Sequence, residues 1–149
     1  MSKYEIQKYS KNHKEEVLEL LERNTPDYFD PSEKEEFLQY LDSGIDDYFI
    51  VLNKKKLIAC GGIDYFPNEE SARIVWDMVD PEYQHKGIGA SLINHRIKYI
   101  KEKNLFKRIF VRTSQFAFKF YAKFGFNVKR VERNYWAKGF DLYLMKYTL

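Results

Sequence analysis

Apolar and polar residues alternate over positions 4–9, a period of two that predicts a first strand. Over 11–24 the period lengthens, and Val17, Leu18, Leu20 and Leu21 gather on one broad helical face. Asn24-Thr25-Pro26-Asp27 breaks that helix. Pro31 opens a second one, with Ser32 and Glu35 near its first turn, Phe37, Leu38 and Leu41 on its inner side, and Gly44 as its stop. Three strands follow at 48–52, 57–66 and 72–79, separated by polar turns at 53–56 and 67–70. The pair Gly61-Gly62 inside the second of these predicts a bulge or a close backbone approach.

Beyond Pro81 a helix runs over about 87–103, with Ile88, Leu92, Ile93, Ile97 and Ile100 at helical spacing. A strand at 106–112 puts Ile109 and Val111 on one face. A short helix at 115–124 carries Phe116, Ala117, Phe120, Tyr121 and Phe124 and ends at Gly125. Strands at 126–135 and 140–147 close the chain around a Lys138-Gly139 loop. The order βααβββαβαββ holds no repeat and no linker. It predicts a single α/β domain over residues 1–149, built on one mixed sheet of about seven strands flanked by about four helices.

Composition narrows the class. An apolar share of 44 % and an aromatic share of 17 % argue for a packed core and against disorder. The net charge of +3, from 25 basic and 22 acidic residues, is too weak to imply nucleic acid or an anionic membrane as partner. Lys54-Lys55-Lys56 reads as a solvated turn. The single cysteine, Cys60, excludes an internal disulfide and an all-cysteine metal site, and reads as a small buried apolar group. His13, His85 and His95 form no ligand pair at metal spacing, so no metal is expected. Met1-Ser2-Lys3-Tyr4-Glu5 lacks the apolar core of a signal peptide, and no apolar run reaches membrane length. A cytoplasmic location is the expectation.

The chemistry concentrates at Gln84-His85-Lys86-Gly87-Ile88-Gly89, a turn between a strand and a helix. The first N–H groups of a helix have no intrahelical acceptor, and its dipole adds partial positive charge there. Gly87 and Gly89 lack a Cβ and let an anion approach the backbone. Ala90 and Ser91 follow where a P-loop needs Lys-Ser/Thr, and the Gly-x-Gly-x-x-Gly spacing of dinucleotide sites is absent.

Gln84 to Gly89 matches the Gln/Arg-x-x-Gly-x-Gly/Ala pattern, and the run from Ala117 to Phe126 matches Ala-x-x-Phe-Tyr-x-x-x-Gly-Phe. In these two segments, and in the order of its elements, the chain resembles the GNAT superfamily of N-acetyltransferases. The resemblance implies acetyl-coenzyme A as co-substrate, with the amides of His85, Lys86, Gly87, Ile88, Gly89 and Ala90 around its pyrophosphate. It implies that the strand end at Asp77, Met78 and Val79 pairs with the pantetheine arm. An amide near Asp77 would polarise the thioester carbonyl, and Tyr121 would protonate the departing thiolate.

Two positions depart from the family pattern. Ser114 stands where members often carry Asn; its hydroxyl can still cap the short helix and bond the cofactor arm. Arg73 stands where one branch places a general-base Glu, and an arginine cannot accept a proton. Asp77, two strand steps on and hence expected on the same face, is the first candidate for that role, with an ion pair to Arg73 or to a surface partner as the structural alternative. Asp64 and Glu70 are the next candidates. The resemblance places the acceptor, a small-molecule or peptide amine, between the first two helices and the last hairpin. Those segments hold Tyr28, Phe29, Asp30, Tyr135, Trp136 and Lys138, with Asp42, Asp46 and Asp47 nearby. The chain is expected to be a monomer or a homodimer paired through an exposed final strand. Arg73 also keeps open a non-catalytic acyl-coenzyme A sensor on the same fold.

Overall fold

The computed structural model describes residues 4–149; residues 1–3, part of the stretch read for a leader, lie outside the described residues. The elements appear in the expected order: β1 (Tyr4–Lys8), α1 (Lys14–Arg23), α2 (Glu33–Gln39), β2 (Asp47–Asn53), β3 (Lys56–Phe66), β4 (Ser71–Val79), α3 (Ile88–Lys103), β5 (Arg108–Thr113), α4 (Phe118–Ala122), β6 (Asn127–Ala137) and β7 (Phe140–Thr148). They form one seven-stranded sheet in the order β1-β2-β3-β4-β5-β7-β6. Every neighbouring pair is antiparallel except β4–β5.

Around β2 the sheet is covered on both faces, which explains why that strand reads as an unbroken apolar run. Phe49 and Val51 point to one face, where Ile88, Leu92, Ile93, Ile97 and Ile100 of α3 pack on Ile63, Ala72, Ile74, Ile109 and Val111. Tyr48 and Ile50 point to the other, where Val17, Leu20 and Leu21 of α1 and Phe37 of α2 cover Cys60 and Met78. Burial of a Leu or Ile side chain contributes roughly 1.5–3 kcal/mol each, so both layers anchor the sheet between them.

Two irregularities position the cleft. β4 and β5 pair only from Ser71↔Arg108 to Ile74↔Val111. Beyond that point they separate, and Val75–Val79 runs on without β5 beside it. The second irregularity is a bulge between β3 and β4. Gly62 pairs with Val75 and Cys60 with Met78, so Trp76 and Asp77 both stand opposite Gly61. A bulge of this kind shifts the two-residue alternation by one. Arg73 therefore faces the α1/α2 layer while Asp77 faces α3, and the expectation of a shared face is corrected. Gly61-Gly62 is the pair that admits this geometry. A Cβ on Gly61 would lie 2.7 Å from Asp77 Oδ1, and one on Gly62 would lie 2.5 Å from Tyr40 Oη.

Three further expectations change. The final strand β7 is enclosed between β5 and β6, so the free edge at that end is β6. The last helix is shorter than expected and opens at Phe118, because Ser114 holds the preceding turn through Phe116 N–H→Oγ (3.2 Å) and Phe118 N–H→O=C (3.0 Å). Phe116 falls outside the stripe, half exposed and edge-on to Phe140.

Candidate active site

A cleft of about 1410 Å³ runs through the opening between β4 and β5, from the turn before α3 to the face covered by α1 and α2. It is lined by Gln84, His85, Gly87, Ile88, Gly89, Ala90 and Tyr121 at one end, and by Phe29, Glu33, Tyr40, Asp64, Arg73 and Trp76 at the other.

At the first end, Gly87 caps α3 with φ +80°, in the left-handed region that glycine adopts at low cost. A Cβ there would meet nothing within 4 Å, so the turn opens directly on the cleft. Ser91 N–H is the first to bond back, to Gly87 O at 3.0 Å. The amides of Ile88, Gly89 and Ala90 in the first turn lack intrahelical acceptors and carry the positive end of the helix dipole. Gly89 has a second reason to be small: a Cβ would lie 3.1 Å from the ring of Phe120. The two motifs thus pack on each other. Lys86 stays at the rim with its ammonium 5.5 Å from the Tyr83 ring centroid.

The centre of the cleft holds a network that the sequence did not reveal. The Tyr121 hydroxyl donates to Asp77 Oδ2 at 2.6 Å. Arg96, 1 % exposed, donates to Asp77 Oδ1 and Oδ2 at 2.5 and 2.8 Å, to Gly62 O at 3.1 Å and to Leu92 O at 3.2 Å. Burial opposes the charge on Arg96, but the Asp77 carboxylate outweighs it and the guanidinium is held charged. Burial, and then the Asp77 charge, push the Tyr121 phenol well above its ordinary pKa, so it keeps its proton at neutral pH. Arg96 sits within the apolar stripe of α3, four residues after Leu92. An arginine at such a position was the available signal.

The bulge beside this network is strained and braced. Trp76 has φ +51°, which for a bulky residue costs of order 1–3 kcal/mol. Its carbonyl accepts from the Tyr48 hydroxyl at 2.9 Å, and its ring is stacked by Phe29 and packed by Phe37 and Tyr40. Of the strand-end residues, Met78 turns its side chain into the α1/α2 core. The Val79 carbonyl already accepts from Asn24 Nδ2 at 3.3 Å.

The remaining candidates separate. Asp64 lines the cleft and pairs with Arg73 at 3.2 Å; burial raises its pKa. Glu70 is half exposed, pairs with Lys107 and lies away from the cleft. Tyr28, Phe29, Tyr135 and Trp136 line the cleft, whereas Asp30, Lys138, Asp42, Asp46 and Asp47 do not. All four of those carboxylates serve the scaffold: Asp30 caps Ser32, Asp42 pairs with Lys14, Asp46 accepts from the Tyr65 amide and Asp47 pairs with Lys8. Besides Asp77, the carboxylates that line the cleft are Asp64, Glu33 and Glu36. Glu33 was missed because it reads as an ordinary first-turn helix acid; burial pushes it up to about 7. His95 packs against Phe49 and is absent from the lining, and the fully buried Cys60 thiol is pushed up to about 12 by burial. Among the described residues no cluster of His, Cys, Asp and Glu could hold a metal, and no helix is long and apolar enough to cross a membrane.

The Acetyltransferase (GNAT) family model matches residues 14–126, most of the chain. The chain belongs to this family of acyltransferases. A sequence relative is the histone acetyltransferase GCN5 of Debaryomyces hansenii, 34 % identical over 76 residues. That segment is 50 % of this chain and 17 % of that protein. Among solved structures, the ribosomal-protein-S18-alanine N-acetyltransferase of Escherichia coli aligns with a TM-score of 0.81 at 18 % identity, over 97 % of this chain and 93 % of that one. A GNAT family acetyltransferase from Elizabethkingia anophelis with acetyl-CoA bound aligns with a TM-score of 0.74 at 20 % identity, over 100 % of both chains. These likenesses are of fold.

Proposed function

We propose that the chain transfers an acetyl group from acetyl-coenzyme A to an amine by direct attack in a ternary complex. The observation that carries the reading is the cleft between β4 and β5, which leads from the open amides of α3 to the Tyr121–Asp77 pair. The residues fit the co-substrate. The amides of Ile88 to Ala90 would hold its pyrophosphate, with Gln84, His85 and Lys86 around the same turn. The edge of β4 from Val75 to Met78 is unpaired toward β5 and would receive the pantetheine amides, with Ser114 on the facing strand end. An amide of the bulge near Asp77 would polarise the thioester carbonyl.

Tyr121 is the group that protonates the thiolate: its hydroxyl turns from Asp77 to the sulfur, and the phenolate is reprotonated by the proton that the amine loses on acylation. Asp77, the first candidate for the base, is better described as the orienter of Tyr121. Both of its oxygens already accept from a buried guanidinium, and one of them also from the phenol, so neither is free to take a proton from the amine. The sensor alternative rested on Arg73. That residue occupies the usual base position, is paired with Asp64 and cannot accept a proton, so thiol release with an amine panel separates the two readings: tight coenzyme A binding with no turnover favours the sensor.

Ala90→Glu tests the donor site without strain. A carboxylate in the first turn favours the helix through its dipole, yet it occupies the anion site. The variant should keep its melting temperature and lose the thermal stabilisation that coenzyme A gives the parent. Equal stabilisation of both proteins would refute the assignment of the turn.

A further inference from the structure

Arg73 of β4 stands in register with Phe110 of β5, and Arg112 follows two residues along. Ile109 and Val111 are buried against α3, so strand alternation turns Phe110 and Arg112 to the opposite face, the face of Arg73. Both arginines line the cleft. Arg73 is neutralised by Asp64. Among the described residues, no ion pair includes Arg112. Its guanidinium lies 5.2 Å from the ring centroids of both Tyr135 and Trp136, and Nη2 donates to the Tyr135 hydroxyl. One of its five N–H donors is thereby engaged, and the rings hold the planar fork in place for a bidentate anion.

The α2 side of the cleft has the opposite sign. Glu33, Phe37 and Tyr40 follow helical spacing along one face, and the rings of Phe37 and Tyr40 pack on Trp76. Glu33 is 9 % exposed, lines the cleft, and has one oxygen on the Asp30 amide at 2.9 Å. A cleft with an arginine floor and a carboxylate wall discriminates against a ligand of one charge sign. A polyamine would set ammonium groups against Arg112, and the wall would repel a simple anion.

We propose that the acceptor is a small amine that also carries a carboxylate, an amino acid, with Arg112 receiving the carboxylate and Glu33 on the side of the amine. The proposal rests on the acetyl-transfer reading and deepens it by naming the acceptor class. Hydrogen bonds to charged groups contribute about 1.5–3 kcal/mol, which corresponds to roughly ten- to hundredfold in kcat/KM.

The test is thiol release from acetyl-coenzyme A with matched acceptors: phenylalanine against phenethylamine, lysine against cadaverine, then spermidine, an aminoglycoside and an unrelated peptide. Each amino acid should exceed its decarboxylated partner at least tenfold. Arg112→Met should bring that ratio toward one by raising KM for the amino acid, and Arg112→Lys should fall between. Stabilisation by coenzyme A reports that the variants are folded. If decarboxylated amines, polyamines or the peptide are the better acceptors, or if Arg112→Met leaves the ratio intact, the acceptor assignment is overturned and the transfer reading stands. Absence of turnover with every amine overturns the transfer reading and this proposal with it.

Discussion

At the proposed donor end of the cleft the Asp77 carboxylate is held on both oxygens by Arg96 and again by the Tyr121 hydroxyl. At the proposed acceptor end Asp64 Oδ1, Arg73 Nε and the Tyr40 hydroxyl are buried without a hydrogen-bond partner among the described residues. The first region is complete as it stands, and the second is not. Buried polar groups are ordinarily paired, because an unmade bond costs about 1–3 kcal/mol. A donor common to a whole family can be met by a preformed network. An acceptor particular to one member is met by groups whose remaining partners arrive with it, or are bridged by water until then. The two ends should therefore respond differently to substitution: loss of stability at the donor network, gain at the acceptor wall.

The largest effect is expected at Arg96. Arg96→Met removes the partner of a mostly buried carboxylate and should destabilise the fold by about 3–5 kcal/mol, read by denaturant unfolding. Arg96→Met combined with Asp77→Leu removes both charges and should recover most of that loss. If the double variant is as unstable as the single one, the network is not a closed electrostatic unit, and the contrast with the acceptor end fails.

Tyr121→Phe comes next. It should lower kcat about 10²-fold, within the range of a lost general acid, and leave the thermal stabilisation by coenzyme A in place. Asp77 stays paired with Arg96, so the fold should lose little. Because burial and Asp77 raise the phenol pKa, the parent rate should show no decline from Tyr121 ionisation between about pH 6 and 9. Equal kcat for parent and variant would remove Tyr121 from the chemistry and leave the network a purely structural device.

The donor end was also the more legible in sequence, for a physical reason. A phosphate turn needs glycine at a fixed offset from a helix start, and the helix that carries Tyr121 needs its aromatics at helical spacing. Both constraints are local, and Gln84–Gly89 and Phe120-Tyr121 display them. The order of elements along the chain was equally local, through the alternation of β1 to β4. What escaped was non-local. Counting by twos from Arg73 to Asp77 fails because the bulge opposite Gly61 inserts one residue, although Gly61-Gly62 had marked the spot. Arg96 belongs to the stripe of α3 but meets its partner from β4, 19 residues away. The acceptor wall depends on which acids turn inward. Asp42 and Asp47 are equally acidic in sequence but are claimed by Lys14 and Lys8, whereas Glu33 shares a helical face with Phe37 and Tyr40.

The smallest effect isolates the acceptor wall. Burial raises Glu33 from 4.5 to about 7 in the folded chain, so the folded state holds the proton more tightly than the unfolded one. The stability tied to that proton is therefore fully present below about pH 4.5 and is lost as the pH rises through about 7. Glu33→Gln keeps the shape and removes the titration. The variant should match the parent at pH 4 and exceed it by roughly 2 kcal/mol at pH 8 in denaturant unfolding. It should also lose affinity for the amine acceptor, since the carboxylate that burdens the free protein is the group proposed to face the amine. A gain in stability coupled to a loss in acceptor binding is the signature of a site whose cost of burial is offset only by its ligand. Parental stability of the Glu33→Gln variant at pH 8 would mean that Glu33 is already satisfied, and the acceptor end would then be as complete as the donor end.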